Sequence, residues 1–190
     1  MLIFSSYMMD LLNLITDFLA ANFIGKIIFN LICSFLFILI ILWLLRPKLL
    51  ISEKICVIEL DGKKYFTFKI VNKSIFNAYD VKFSLQRRTP YIVSNNKVNY
   101  EMKVVPLIRS EIFYIPKYKS EKGIGEHSIL IATLEDLSLD IHKENLDYEL
   151  SVSAKHGLSN ITTVFHNRYE DKNSLHNGRF KFGKSLDVIK

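Results

Sequence analysis

The feature that most constrains this chain is an uncharged, apolar run from Ile27 to Leu45. As an α-helix its 19 residues would cover about 28 Å, close to the hydrocarbon thickness of a bilayer. A soluble domain built from the remaining residues would have to bury such a helix on every side, which is unfavourable for one domain of this size. The run therefore predicts a transmembrane helix, placed at residues 23–46.

A cleavable signal peptide is the main alternative for this run. It requires a basic start, a short apolar core and a cleavage site of small residues. Here Asp10 precedes a longer apolar run, and the sequence LLRPKLL follows Trp43. The pattern favours an anchor that remains attached.

The charges around the span predict its orientation. Arg46, Lys48 and Lys54 follow the span, whereas Asp10 and Asp17 precede it. The positive-inside rule then places the C-terminal part in the cytoplasm, beneath the inner (plasma) membrane. Tryptophan and basic side chains at the two ends of a span are typical membrane anchors. The predicted anchor residues are Lys26, Trp43, Arg46 and Lys48.

Residues 1–22 have the pattern of an amphipathic helix. Ser6, Asp10, Asn13 and Asp17 recur at spacings of four, three and four, which places them on one side of a helix. Such a helix can lie in the membrane interface, continue the span as one long helix, or form a second pass or pore-facing helix. Residues 23–25 (Phe-Ile-Gly) suggest a bend before the span. The predicted polar helix residues are Asp10, Asn13, Asp17 and Asn30.

After residue 50 the pattern changes to the alternation of β-strands. Asp61-Gly62 lies between two β-rich runs and predicts a tight hairpin. The alternation also predicts two sets of core-facing side chains. These are Tyr79, Val81, Phe83 and Leu85 in one strand, and Val98, Tyr100, Met102 and Val104 in the next. Further predicted strands cover 111–116, 127–134, 147–155, 160–169 and 179–189.

Eight or nine short strands without alternating helices indicate a membrane-anchored all-β protein. We predict that residues 47–190 form an antiparallel immunoglobulin-like β-sandwich, located in the cytoplasm. Residues 46–190 carry 24 basic and 17 acidic residues. The excess of positive charge suits a soluble surface or attraction to anionic lipid headgroups.

Motifs for chemistry are not found. His127, His142, His156, His166 and His176 have neither companion cysteines nor zinc-site spacing. No glycine-rich phosphate loop or nucleophile elbow occurs. We therefore expect a protein that is not an enzyme and has no catalytic residue, metal or cofactor. Without a basic run that includes aromatic residues, we also expect no nucleic-acid partner.

Residues 147–183 contain Glu149-Leu150, Gly157, Thr162-Thr163, Arg168-Tyr169 and Gly178-Arg179-Phe180. In this order they resemble the C-terminal half of the cytoplasmic domain of inward-rectifier potassium channels. The resemblance implies an immunoglobulin-like sandwich beneath a membrane. It does not extend to conduction, because a filter similar to TVGYG, a pore helix and a second span are missing.

The sequence thus predicts a single-pass membrane protein whose cytoplasmic domain binds an unknown protein partner or itself. The use of Ile, Lys and Asn is typical of a low-GC bacterium. The alternative is an oligomeric, membrane-perturbing or channel-like effector, because polar residues interrupt otherwise apolar helices. The expected partners of the chain are the lipid bilayer and either an unknown protein or further copies of the chain.

Overall fold

The structure is a computed structural model and describes residues 2–94, 97–119, 125–138, 146–157, 159–170 and 172–189. The chain divides into two compact units, Met1–Leu44 and Leu45–Lys190. The first unit is a helix and the second is rich in β-strands. An all-β domain that follows one N-terminal apolar helix agrees with the sequence prediction at this level.

The helix α1 runs without interruption from Leu2 to Leu44. No bend occurs at residues 23–25, where the sequence suggested one, and the predicted boundary between residues 22 and 23 has no counterpart in the backbone. Gly25 lies inside the helix without interrupting it. The helix ends before Pro47, as expected because proline disfavours helical geometry in the residue that precedes it.

The segment Asn22–Leu44 of this helix has a mean hydropathy of 2.9 and is exposed in the isolated chain. By length and composition it is able to cross a membrane. A signal sequence near the N-terminus has the same two properties. The structure therefore establishes one N-terminal apolar helix.

The first sheet is built around β3. Its strands are β1 (Leu49–Ile51), β2 (Ile55–Leu60), β3 (Lys63–Asn72), β7 (Ser128–Thr133) and β10 (Leu175–Asn177). β1 and β2 pair with β3 along one edge, and β7 pairs with its other edge, all antiparallel. β10 pairs with β2 in parallel, which departs from the predicted purely antiparallel arrangement.

The second sheet is built around β4. Its strands are β4 (Ala78–Val93), β5 (Lys97–Val105), β6 (Glu111–Ile115), β8 (Asp147–His156) and β9 (Thr162–Tyr169). The order is β5-β4-β8-β9, with β6 also paired to β4, and every pair is antiparallel. A 3-10 turn at Lys172–Ser174 precedes β10.

The C-terminal residues differ from the prediction of one strand over 179–189. They form two short strands, β11 (Arg179–Phe180) and β12 (Val188–Ile189), which pair with each other. Gly183 has a φ of 72°, which allows the chain to reverse between them. A continuous strand was therefore the wrong interpretation of this segment.

Buried side chains from both sheets form one hydrophobic cluster. On β8 every second residue is buried, as for Leu150 and Val152, because successive side chains of a strand point to opposite faces. Val81, Phe83 and Leu85 of β4 are buried as predicted, and Tyr79 at the start of the strand is half-buried. The core therefore lies between the two sheets.

The predicted hairpin at Asp61-Gly62 is confirmed. Leu60 pairs with Lys63 across the turn, and the φ angles of Asp61 and Gly62 are 50° and 70°. Positive φ at both central residues is the geometry of a type I′ turn, which suits the twist of the two strands. This turn fixes the register of β2 against β3.

The prediction for β5 is wrong. Val98, Tyr100, Met102 and Val104 were expected in the core, but all four are exposed. β4 is 16 residues long and continues past the core, and β5 follows it. The last buried pair is Leu85 with Val105. Alternation was therefore interpreted correctly as a strand, but not as a buried face.

Candidate interaction surface

The most unusual surface of the β-rich unit is a two-stranded projection that we call the arm. It consists of Arg88–Val93 of β4, which pair with Lys97–Met102 of β5, and of the next two β5 residues, Lys103 and Val104. At its base Arg88 also pairs with Asp147 of β8. A two-stranded ribbon has little capacity to bury apolar surface by itself. The arm nevertheless has several large apolar side chains, which makes it a candidate interface.

One side of the arm, which we call the arm face, is apolar. It is continuous with the outer surface of the second sheet, because its residues alternate with the core residues Leu85 and Val105. Its members are between 42% and 78% exposed. They are Ile92, Val98, Tyr100, Met102 and Val104. Contiguous exposed apolar side chains of this kind mark sites of protein or membrane contact.

The base of the arm face is fixed by Arg88, which is 4% exposed. Its Nη1 lies 3.1 Å from Asp147 Oδ2 and 3.5 Å from Glu149 Oε2. On the other side its guanidinium carbon lies 4.2 Å from the centre of the Tyr100 ring. Arg168 Nε also contacts Glu149 Oε2, at 3.0 Å. Tyr100 therefore contacts the guanidinium of Arg88, which carboxylates of β8 hold in place.

The electrostatics of this network are dominated by burial. Desolvation raises the pKa of Asp147, and the positive charge of Arg88 opposes that rise. The Arg88 side chain is 5% exposed and that of Asp147 is 14% exposed. Removing one partner would leave the other charge poorly solvated. The network therefore has a structural role under the arm face.

The outer edge of β5 is unpaired within the described part of the chain, where β4 is its only strand partner. An unpaired edge presents backbone N–H and C=O groups that another strand can bind. Lys97, Glu101 and Lys103 alternate with the apolar residues along this edge and are exposed. The arm thus combines an apolar face with an edge of mixed charge.

A second surface feature is an open cleft beside Asp80, with a volume of ≈ 660 Å³. Asp80 has a φ of 45° at a register shift between β4 and β8, and its carboxylate lies 3.0 Å from Lys155 Nζ. Tyr79 and Phe113 form part of an aromatic wall. The described residues that line the cleft include no serine, threonine or cysteine nucleophile.

Gly157 determines how the Tyr79 ring lies in this cleft. A Cβ at position 157 would stand 2.6 Å from Cε2 of Tyr79, which is too close for any real contact. The Tyr79 hydroxyl accepts a hydrogen bond from Nδ2 of Asn77 at 3.1 Å. The glycine therefore provides the space in which the ring packs.

Two buried basic residues lie in or directly next to the first sheet. Lys69 Nζ donates hydrogen bonds to the carbonyl oxygens of Lys181 and Ser185, which connects β3 with the C-terminal segment. His127 is 2% exposed and packs against the Tyr118 ring at 5.0 Å. Burial lowers the pKa of both basic groups. Their contacts indicate a structural role.

The two cysteines differ in environment. Cys33 is exposed on α1, whereas Cys56 is buried in β2. Burial raises the pKa of the Cys56 thiol to about 11, despite the opposing charges of Lys54 and Lys69. A thiol that stays protonated is a weak nucleophile, so Cys56 is chemically inert in the fold.

The structure places the predicted anchor residues at the two ends of the apolar segment. Lys26 and Trp43 are exposed on α1, and Arg46 and Lys48 are exposed in the connection between α1 and β1. Lys48 also accepts a backbone hydrogen bond from Lys73 through its carbonyl oxygen.

The predicted polar residues do not share one side of the helix. Asn13 and Asp17 are exposed on one side, and Lys26 and Asn30 are exposed on the other. At about 100° per residue in an unbroken helix, the nine residues from Asp17 to Lys26 give a rotation of about 180°. Asp10 belongs to α1, but its side chain lies outside the described residues. One helix therefore does not present a single polar stripe.

Among the described residues, no group of three His, Cys, Asp or Glu side chains is arranged to hold a metal ion. Comparison of the chain with models of protein families and with curated proteins finds no match. Sequence reasoning missed the arm because it equated alternation with burial. The available clue was the length of the strand that became β4. A strand usually has about five or six residues, so a strand of 16 residues extends past the core.

Proposed function

We propose that this chain is a membrane-anchored, non-enzymatic protein whose β-rich domain binds another protein chain, or a further copy of itself, through the arm face. The exposed apolar side chains of the arm are the observation that carries this proposal. Such a surface is costly to leave in water, and a partner would cover it.

The arm lies far from the point at which the chain enters the β-rich unit. Within the β-rich unit, the chain enters the first sheet at Leu49, which pairs with Asn72 at the end of β3. β4 starts at Ala78 near that end, and Arg88 lies ten residues further along. At about 3.3 Å per residue the arm begins roughly 30 Å from the entry point. Within the β-rich unit the arm therefore lies far from Leu49, where the chain enters the sheet.

Anchoring itself is supported by the hydropathy and length of Asn22–Leu44. Arg46 and Lys48 after the span support a cytoplasmic location for the domain under the positive-inside rule. Two sheets around one core are compatible with the immunoglobulin-like architecture and with the resemblance to the channel cytoplasmic domain. In this proposal the single pass only holds the domain at the inner membrane.

The arm is tested with the full-length protein in mild detergent. We expect the wild type to run as a complex in size-exclusion chromatography with light scattering. The variant V98K/M102K should no longer bind the partner, because binding would remove the two charged lysine side chains from water. Phe113→Lys is the control, since Phe113 is an apolar residue of the same sheet outside the arm and is even more exposed than Val98 and Met102. A wild type that is a monomer without a partner would overturn the proposal.

The anchor and orientation have a separate test. We expect the full-length protein to remain in the membrane pellet after alkaline carbonate extraction. Protease added to intact cells should leave the domain uncut, and should digest it in inverted vesicles. Release by carbonate would contradict the anchor, and digestion in intact cells would contradict the orientation.

A channel-like effector is the alternative from another class. It requires several helices to bring their polar residues together, because Asn13 and Asp17 lie opposite Lys26 and Asn30 on each helix. Induced expression with a membrane-potential dye tests it. Depolarisation that is lost on changing Asp17 and Lys26 to leucine would support this alternative.

A further inference from the structure

We propose that the arm's partner is a second copy of this chain, and that the two β5 strands pair antiparallel about a two-fold axis at Met102. This inference rests on the proposed function of the arm. It specifies the occupant, the strand and the register. The unpaired edge of β5 supplies the backbone groups for the pairing.

The alternation of β5 limits the possible registers. In an antiparallel pair, directly opposite residues point to the same face of the sheet. When a two-fold axis relates two identical strands, opposite residues share a face only if the axis lies between one residue and its own copy. An axis placed between two successive residues would bring side chains from different faces opposite each other. The charges of Lys97, Glu101 and Lys103 then distinguish between the possible axes.

Three axes oppose like charges. An axis at Tyr100 places Lys97 opposite Lys103 of the second copy. An axis at Glu101 or at Lys103 places that residue opposite its own copy. Like charges directly opposite each other destabilise a sheet. These registers are therefore disfavoured.

Two axes oppose unlike charges. With the axis at Met102, Glu101 lies opposite Lys103 of the second copy, and the same pair occurs again by symmetry. The paired segment is then Asn99–Val105, seven residues of β5. With the axis at Asn99, Lys97 lies opposite Glu101, but only the five residues 97–101 of β5 are paired. The longer ladder favours Met102.

The Met102 register also joins the apolar side chains. Met102 lies opposite its own copy, and Tyr100 lies opposite Val104 twice. The two arm faces then form one continuous apolar stripe on a sheet that runs through both copies. Edge lysines often prevent strand pairing. Here a glutamate accompanies the lysines, so the charges leave two registers and the longer ladder selects Met102.

The pairing has a geometric consequence for two chains anchored in one bilayer. A two-fold axis perpendicular to the sheet reverses the strand direction in the second copy. Both chains reach the same membrane only if these strands run along its plane. The connection Leu45–Lys48 contains neither helix nor strand, which leaves room for that orientation.

Charge exchange tests the register in the full-length protein in mild detergent. Glu101→Lys alone or Lys103→Glu alone creates two like-charged pairs and should weaken the dimer about tenfold. The double variant E101K/K103E restores both attractions and should recover wild-type dimerisation. Both residues are exposed, so the variants should fold as the wild type does.

Cysteine crosslinking tests the axis directly. In a Cys33→Ala background, with the buried Cys56 kept, Met102→Cys should form a disulfide-linked dimer under mild oxidation. Directly opposite residues have the Cα separation that a disulfide requires. Asn99→Cys is the matched control. In the proposed register it lies six residues, about 20 Å, from its copy.

The outcomes separate this inference from the proposed function. Crosslinking at 102 with rescue by the double charge exchange supports the pairing. Crosslinking at 99 instead, or a dimer that V98K/M102K disrupts but charge exchange leaves unchanged, overturns the register and retains the arm as an interface. A complex with a different protein at the arm likewise overturns the pairing of two β5 strands and retains the arm as an interface. A monomer without any partner overturns both.

Discussion

The guanidinium group of Arg88 lies between the ring of Tyr100 and the carboxylate of Asp147, at 4.2 Å from the ring centre and 3.1 Å from Oδ2. Tyr100 is a diagonal neighbour of Arg88, whose direct partner on β5 is Met102. The arginine therefore connects β5 to β8 across β4. A cation over an aromatic ring stabilises both when water is excluded. This contact anchors the projecting arm to the domain.

Replacing Arg88 by alanine should lower the free energy of unfolding by about 3 kcal/mol, because Asp147 and Glu149 lose their buried partner. Urea unfolding of the detergent-solubilised full-length protein, followed by circular dichroism, measures the loss. Arg168→Ala is the control. Its side chain is about half exposed and its ion pair is screened by water, so the change should cost clearly less than the loss of Arg88. Equal losses would contradict the role of Arg88.

Gly157→Ala should destabilise the domain by about 1–3 kcal/mol, because the added methyl group overlaps the Tyr79 ring. The same unfolding measurement applies. Combining Gly157→Ala with Tyr79→Leu removes the ring and should recover part of the loss. If the double variant is as unstable as the sum of the two single variants, the ring contact is not the cause.

Stability should fall as the pH drops below about 6.5, the ordinary pKa of histidine. Burial lowers the pKa of His127, and the charges of Lys69, Lys73 and Lys184 lower it further. The folded state therefore favours neutral imidazole. That stabilisation is complete above the unfolded pKa and is lost as the pH falls through the lowered folded pKa.

The urea midpoint at pH 8 and at pH 5.5 measures this effect. His127→Gln should reduce the difference between the two midpoints, leaving a remainder from His156, whose pKa is also lowered by burial. His166→Gln, at an exposed position of β9, is the control. An unchanged difference in His127→Gln would exclude this histidine as a cause.

Gly62→Val should cost roughly 1–2 kcal/mol, because a branched residue at a φ of 70° is strained. Asp61→Asn, at the neighbouring position of the turn, should be tolerated, since asparagine adopts positive φ readily. Thermal unfolding of both variants checks the prediction. A valine variant as stable as the wild type would mean that the turn has rearranged.

Much of the fold was accessible from local sequence patterns. The Asp61-Gly62 turn, the strand over β8 and the burial of Phe83 and Leu85 follow from turn chemistry and alternation alone. The parallel pairing of β10 with β2 was not accessible, because residues 175–177 and 55–57 meet only after the sheet has formed. The unbroken helix at Gly25 was one of three alternatives that the sequence left open, since local propensity does not decide between a bend and a continuous helix.

The sequence by itself determined an apolar N-terminal helix, a strand-rich remainder and a tight hairpin, since these depend on composition, period and the φ preference of neighbouring residues. Only the tertiary structure decided which strand faces are covered. Val98, Tyr100 and Met102 have the same alternation as Phe83 and Leu85, yet they are exposed because no second sheet lies over them. Burial depends on what packs against a strand, and that information is not local.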